Sequence, residues 1–246
     1  MIVPTRQQTL TAMNDLIKRF PNKKIIIINQ PTGLGDILFT IPIARKLKQQ
    51  GVVVYPYDEK YGDIGKHFKD LVFVEKNKLN IDYEQKKPVI YNNVMIIPMR
   101  YSNGDGCINT GTMKSKYVYM GLDYNEWRTL TWERDIEKER GLRRKVCKKE
   151  DYIVVNKYWH YTNQKANFKY TVPDGCDIVE MTPTKGYTML DWGMILEGAM
   201  EIHTVGTSLI YMLDIMGLDA YLYKRPNEKD YNNYNYLLKG NYHYDI

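Results

Sequence analysis

Four consecutive isoleucines, Ile25 to Ile28, stand out from a chain whose apolar and polar positions otherwise alternate irregularly. An unbroken apolar run of this kind reads as a strand buried on both faces, as in a parallel sheet. After it come Asn29-Gln30-Pro31-Thr32-Gly33-Leu34-Gly35-Asp36, and then Ile37, Ile41, Ala44 and Leu47 at helical spacing. A helix is therefore expected from near Asp36. Upstream, Leu10, Met13, Leu16, Ile17 and Phe20 predict an amphipathic helix over residues 9–20. Downstream, strands are expected at 52–55, 71–74 and 94–98, with a long loop of turn formers over 101–117. A second α/β unit opens with a strand at 152–156. Another strand follows at 178–179, a helix at 188–199, a short strand at 201–203 and a helix at 209–216. Strands alternating with helices imply parallel sheets covered on both faces.

The strand–glycine–helix passage is also the first candidate for chemistry. Gly33 and Gly35 allow a sharp turn and close approach of a ligand to the backbone. Such a turn forms a crevice at the carboxyl end of a sheet, and Asp36 is the carboxylate placed in it. The bland alternative is a tight turn with Asp36 capping the helix. Two familiar phosphate sites do not fit. A P-loop requires Gly-Lys-Ser/Thr, and Gly35 is followed by Asp36. A dinucleotide fingerprint requires a small residue where Leu38 stands, although Asp58-Glu59 follows at a ribose carboxylate's distance. Asp36 would also set a negative charge where the helix dipole should receive the pyrophosphate.

A second turn has related features. Thr204-Val205-Gly206-Thr207-Ser208 lies between a short strand and an apolar helix. Hydroxyls and backbone amides at a helix N-terminus can receive an anion, or Thr207 or Ser208 can simply cap the helix. Lys157 and Lys165 follow the 152–156 strand, near Tyr158, Trp159 and Tyr161, whose rings can stack on a base or sugar or merely pack. Glu180 ends the 178–179 strand. His203, with no carboxylate or cysteine spaced for a metal, reads as a strand-end histidine.

Gly35-Asp36-Ile37-Leu38, with Pro42 inside the following helix, resembles the first glycine loop of heptosyltransferase-type glycosyltransferases. Those enzymes have two Rossmann-like domains, the GT-B fold. The resemblance covers about twenty residues here and a second stretch around Thr204 to Ser208. It implies an α/β chain of two Rossmann-like halves with a cleft between, and it implies roles. Asp36 is the general base, Gly33, Leu34 and Gly35 lie on the acceptor side, and Thr204, Gly206, Thr207 and Ser208 cradle the donor's diphosphate. Lys157 or Lys165 corresponds to a phosphate-binding lysine and Glu180 to a ribose-binding carboxylate. The sequence departs from the family where Leu209 occupies the place of a histidine. The alternative glycosyltransferase architecture holds its diphosphate through a metal at Asp-x-Asp. No Asp-x-Asp occurs in the chain, so transfer without a metal or other cofactor is expected, probing a nucleotide-sugar donor and an inverting reaction.

Composition narrows the setting. The 246 residues, 43% apolar and 26% charged, suit one large domain or two small ones. Three dispersed cysteines, Cys107, Cys147 and Cys176, form neither a zinc spacing nor a disulfide framework. With no apolar leader and no run of membrane-spanning length, a soluble, cytoplasmic protein is expected. A net charge of +6 favours, without requiring, a polyanionic partner. Residues 138–149 hold seven basic side chains against one acidic, either as a solvated connector or as a phosphate-contacting face. The expected division is 1–150 for the acceptor side, including this charged segment, and 151–246 for the donor side. Twenty-two tyrosines, with abundant Lys, Ile and Asn, are what an AT-rich viral or phage genome would encode. The leading expectation is therefore a glycosyltransferase acting on a carbohydrate hydroxyl. A transferase modifying a hydroxylated base in viral DNA and a non-catalytic nucleotide- or sugar-binding module are the alternatives.

Overall fold

The structure is a computed structural model that describes residues 13–30, 33–61, 63–82, 87–99, 113–160, 164–225 and 238–244. The start of the expected first helix, most of the 101–117 loop, Cys107 and Tyr161 lie outside the described residues. Two compact units divide the chain, Met1–Leu130 and Thr131–Ile246.

In the first unit, α1 (Asn14–Arg19) leads into β1 (Ile25–Asn29), α2 (Leu34–Leu47) and β2 (Val52–Tyr57). Next come β3 (Val72–Glu75), β4 (Val89–Tyr91), β5 (Val94–Pro98) and α3 (Lys114–Tyr119). The sheet order is β3-β2-β1-β5-β4, parallel except for the edge strand β4. A two-residue turn joins β4 to β5, with Asn92 in the left-handed region at φ 54°, a conformation asparagine tolerates. β1 is central, and all four of its isoleucines are wholly buried. Ile25 and Ile27 pack with Met13, Leu16, Val54, Val94 and Ile96, and Ile26 and Ile28 face the opposite side. Burying side chains of this size contributes about 1.5–3 kcal/mol each, which outweighs the backbone ordering of a five-residue strand only when both faces are covered. α2 is accordingly buried from Ile37 through Ala44.

The second unit contains α4 (Ile136–Val146), β6 (Tyr152–Asn156), a two-stranded ribbon of β7 (Tyr158–His160) and β8 (Gln164–Lys165), and β9 (Asp177–Glu180). α5 (Gly193–Glu197), β10 (Glu201–Val205), α6 (Leu209–Met216), β11 (Ala220–Tyr223) and β12 (Tyr242–Tyr244) complete it. Its sheet is wholly parallel, in the order β12-β11-β10-β6-β9.

Three local features differ from expectation. The helix expected over 188–199 is a 3-10 turn, Met189–Trp192, followed by α5. A capping box between Thr188 and Asp191 closes the start of that turn. The charged segment placed before residue 150 forms α4, which packs on Met189–Trp192 and α5 within the second unit. Finally, the Tyr- and Asn-rich terminal stretch, for which no strand was expected, supplies strands β11 and β12. Tyrosine suits a half-buried pleated surface, with its ring against neighbours and its hydroxyl toward water.

In each sheet the chain reverses direction beside its first strand. β1 leads to β2 and β3 on one side and β5 lies on the other. β6 leads to β9 on one side, while β10, β11 and β12 lie on the other. The loops leaving the carboxyl ends of β1 and β6 therefore diverge from those of their neighbours, which is where a sheet of this order forms its binding crevice.

Candidate active site

The crevice at the end of β1 contains Asp36. Gly33, in an extended conformation (φ −102°, ψ 140°), is the N-cap of α2, and Asp36 lies in the first turn. The carboxylate Oδ1 accepts a hydrogen bond from Lys116 Nζ at 2.5 Å. The Lys116 side chain has no exposed surface and that of Asp36 retains 12%. A lysine sealed from water beside a carboxylate that still touches it is an unusual arrangement. Burial pushes the Lys116 ammonium down, and the charge and hydrogen bond of Asp36 push it back up.

Around this pair the polar groups form a closed ring. Lys116 Nζ also donates to Gln30 Oε1 at 3.2 Å. Gln30 Nε2 donates to the Tyr55 hydroxyl. Thr40 donates to the Asp36 carbonyl at 2.8 Å, so the remaining short contact between Thr40 and Tyr55 has Tyr55 as donor. Gln30, Thr40 and Tyr55 are all buried. One ring thus ties together the end of β1, the first turns of α2, the strand β2 and the helix α3. Satisfied buried networks of this kind fix a single geometry, because each member is costly to leave unpaired.

Neither Lys116 nor Gln30 was marked by the glycine-loop pattern. One signal does single out Lys116. Met113, Lys116, Tyr117 and Met120 recur at i, i+3, i+4 and i+7, which places the lysine on the apolar face of α3. Tyr117 confirms that face, since its ring packs edge-on against Phe39 and its hydroxyl donates to the Phe39 carbonyl at 2.7 Å.

Gly33 has a specific role. A Cβ at this position would stand 2.4 Å from Asp36 Oδ2. The backbone there suits any residue, so the carboxylate rather than strain excludes a side chain. Gly33→Ala should keep the fold and displace the carboxylate. We expect turnover to fall about tenfold or more, because sub-ångström to ångström misplacement of a reacting group is that costly. Turnover measured beside a thermal melt checks it; a folded variant of unchanged turnover would detach Gly33 from the site.

The crevice at the end of β6 gathers most of the expected donor-side residues at one sheet edge. Thr204 is wholly buried, and its hydroxyl accepts from Asn156 Nδ2 at 2.9 Å. It therefore supports the turn from beneath. Thr207, partly exposed above it, accepts from Asn156 Nδ2 and from the Leu209 amide, each at 3.3 Å. Gly206 is buried and Ser208 partly exposed. Lys157, leaving β6, lies over the Tyr170 and Phe168 rings at 5.1 and 5.9 Å. Glu180, ending β9, pairs with Lys165 at 3.3 Å, with both side chains near half exposure. A pair so exposed contributes little to stability and is free to exchange partners for a ligand.

His203 lies within β10 and is almost fully buried. Its Nδ1 contacts the Tyr223 hydroxyl at 2.9 Å and its Nε2 contacts Glu201 at 3.0 Å. Its ring stacks on Tyr221, 4.7 Å between centroids. Burial lowers its pKa against the opposing pull of Glu201. Among the described residues, no group of three His, Cys, Asp or Glu side chains is arranged to hold a metal ion. No described helix is long and apolar enough to cross a membrane.

The basic run is largely spoken for within its own unit. Lys138 pairs with buried Asp191 at 3.2 Å, Arg140 with Glu137, and Arg143 with Glu150 at 2.6 Å. Lys149 donates to the Gly175 carbonyl and Lys148 to that of Lys145.

No family model and no curated protein sequence matches the chain. Solved structures do. The glycosyl transferase family 9 protein from Veillonella parvula DSM 2008 matches with a TM-score of 0.52 at 10% identity, over 91% of this chain and 87% of that one. The dodecameric iron-containing heptosyltransferase TibC in complex with ADP-D-beta-D-heptose matches at 0.48 and 13% identity, over 85% of this chain and 61% of that one. TibC from enterotoxigenic E. coli H10407 gives 0.48 and 13%, over 82% and 58%. At such identity the family 9 likeness is one of fold, namely two Rossmann-like α/β units of the GT-B type.

Proposed function

We propose that this chain is a glycosyltransferase that moves a sugar from a nucleotide-diphosphate donor to an acceptor hydroxyl, with inversion and without a metal. The observation that carries the reading is Asp36 at the crevice of the first sheet, partly exposed and held by buried Lys116. The GT-B-type fold supports it, because that fold supplies a second crevice at which an anionic donor can be held.

Each group has a part in the reaction. Asp36 accepts the proton of the acceptor hydroxyl as that oxygen bonds to the anomeric carbon. The anomeric carbon–oxygen bond to the donor breaks at the same time, and the nucleoside diphosphate leaves with the electron pair. Thr207, Ser208 and the amides at the start of α6 receive the diphosphate, with the helix dipole assisting. Lys157 supplies positive charge at the same sheet edge, and Glu180 accepts from the ribose hydroxyls. A carbohydrate is the proposed acceptor. Lys138 is held by buried Asp191, whereas the pairs of Arg140 and Arg143 are exposed and can exchange for phosphate, so DNA stands second on the composition of the run alone. Beyond composition, nothing supports a viral or phage source.

The test is a thermal-shift panel of nucleoside diphosphates and nucleotide sugars, followed by product analysis with the ligand that binds. A ligand at 100 times its Kd should add about 3 kcal/mol of stability. No stabilisation by any nucleotide would overturn the reading. Stabilisation by a nucleotide sugar with neither transfer nor slow hydrolysis would make the chain a binding module.

A further inference from the structure

The end of β6 is polar where packing alone would favour an apolar residue. Ile153, Val154 and Val155 are wholly buried, and Asn156, next in the strand, is 6% exposed. Its partner across the sheet is Thr204 of β10, itself wholly buried. An apolar pair of matching shape in these two places would be close to neutral for stability. The Asn–Thr pair therefore has another basis, which its hydrogen bonds supply.

Asn156 Nδ2 carries two N–H groups. One donates to Thr204 Oγ1 at 2.9 Å and the other to Thr207 Oγ1 at 3.3 Å. The Thr204 proton goes to the Val205 carbonyl at 3.0 Å. That oxygen must accept from Asn156, so the amide nitrogen is the end that faces it. Thr207 Oγ1 also accepts from the Leu209 amide at 3.3 Å, and a backbone amide can only donate. A hydroxyl has two lone pairs and one proton. Both lone pairs of Thr207 are thus filled, and what the hydroxyl has left to offer is its proton. Thr207 is partly exposed at the carboxyl edge of the sheet, and among the described residues no acceptor takes that proton.

We infer that Asn156 is a positioning residue for the donor, which fills a lone pair of Thr207 and so commits that hydroxyl to donate to an oxygen anion of the diphosphate. The inference rests on the proposed use of this turn for the donor. An exposed threonine hydroxyl otherwise rotates and either donates or accepts, and an incoming anion must first fix it. Asn156 fixes it beforehand, through an amide that is buried and held by Thr204. Orientation before binding raises affinity without a new contact to the ligand. Thr204 takes part in the same way, since it sets the rotation of the amide from beneath the turn.

The experiment is a double-variant cycle on the full chain. It is read as the Kd for inorganic pyrophosphate, by calorimetry in metal-free buffer, with a thermal melt of each variant. Thr207→Val should raise that Kd by about tenfold or more, the scale of a hydrogen bond to a charged group. Thr207→Ser should keep most of the affinity. Asn156→Val should raise the Kd in the wild-type background and change it little beside Thr207→Val, because the two residues act through one hydroxyl. A purely structural asparagine would lower the melting temperature without that coupling. Losses that add, or a folded Thr207→Val chain of unchanged Kd, would overturn the inference, as would a wild type that binds no pyrophosphate. Should Asn156→Val fail to fold, near-isosteric Asn156→Asp replaces it. Its carboxylate draws the Thr207 proton inward, so pyrophosphate should bind more weakly than to Thr207→Val, and wild-type-like affinity would overturn the inference. Sugar transfer with a donor KM unmoved by these changes would leave the proposed function standing without the inference. Coupled pyrophosphate binding in a chain that transfers no sugar would sink the proposed function and leave the anion site standing.

Discussion

Replacing Asp36 by asparagine should lower turnover by about 10²-fold or more, the usual scale of a general base, while leaving the crevice in shape. The substitution keeps the size of the side chain and leaves an amide oxygen able to accept from Lys116 Nζ. What it removes is negative charge and basicity. Lys116, sealed from water, then lacks its counter-charge, and a buried unpaired charge costs several kcal/mol unless it gives up its proton. The variant should therefore melt lower than the wild type, with the loss capped by the cost of deprotonating one lysine. Saturating-donor turnover, measured at a temperature where the melt shows a folded chain, separates the two effects. Wild-type-like turnover there would remove Asp36 from the mechanism.

The largest expected loss of stability lies in the other unit, at Arg134→Met. Glu139 is fully buried on α4. Its carboxylate accepts from Arg134 Nε at 2.9 Å and Nη2 at 2.5 Å, and from the Met194 amide at 2.7 Å. Arg134 also reaches Glu197 on α5, so one guanidinium fastens the charged helix to the helix beneath it. Removing Arg134 leaves a buried carboxylate with the Met194 amide as the donor that remains from these contacts. Breaking such a pair costs about 3–5 kcal/mol. The lower end applies, because Arg134 is 28% exposed and water can partly replace it. A drop in Tm on the order of 10 °C should follow. Arg134→Met combined with Glu139→Met should recover much of that loss, since the orphaned charge is then gone. A double variant no more stable than the single one would show that the pair contributes through shape rather than charge.

How much of this was legible in the chain differs from one element to the next. β1, β5, β6 and α6 fall where the apolar pattern places them, because each is buried over most of its length and so carries an apolar run. β4 was missed, since Val89–Tyr91 is a short, half-buried edge strand whose residues carry little pattern. β11 and β12 were not anticipated as strands because tyrosine and asparagine are individually neutral on burial. The site divides in the same way. The turn that carries Asp36 was legible because Gly33 and Gly35 mark it between an apolar strand and an apolar helix. Lys116 was not, because its significance depends on a carboxylate 80 positions earlier in the chain, and no local spacing encodes that distance. Thr204 was expected to face a ligand, yet it lies under the turn, held by Asn156. From sequence, both sides of a turn look alike.

The run Ile25 to Ile28 also bears on how the chain acquires its structure. β1 must pair with β2, Ile25 opposite Val52, and with β5, Ile25 opposite Val94. Both partners are parallel and remote, so ring-closure entropy must be met before either contact forms, and topologies of this kind fold slowly. During that interval the most apolar strand of the molecule has two unsatisfied edges and no charged residue within it to deter self-association. Refolding from denaturant should consequently be a race between closing the sheet within one molecule and pairing isoleucine runs between molecules, with yield set by protein concentration more than by final stability.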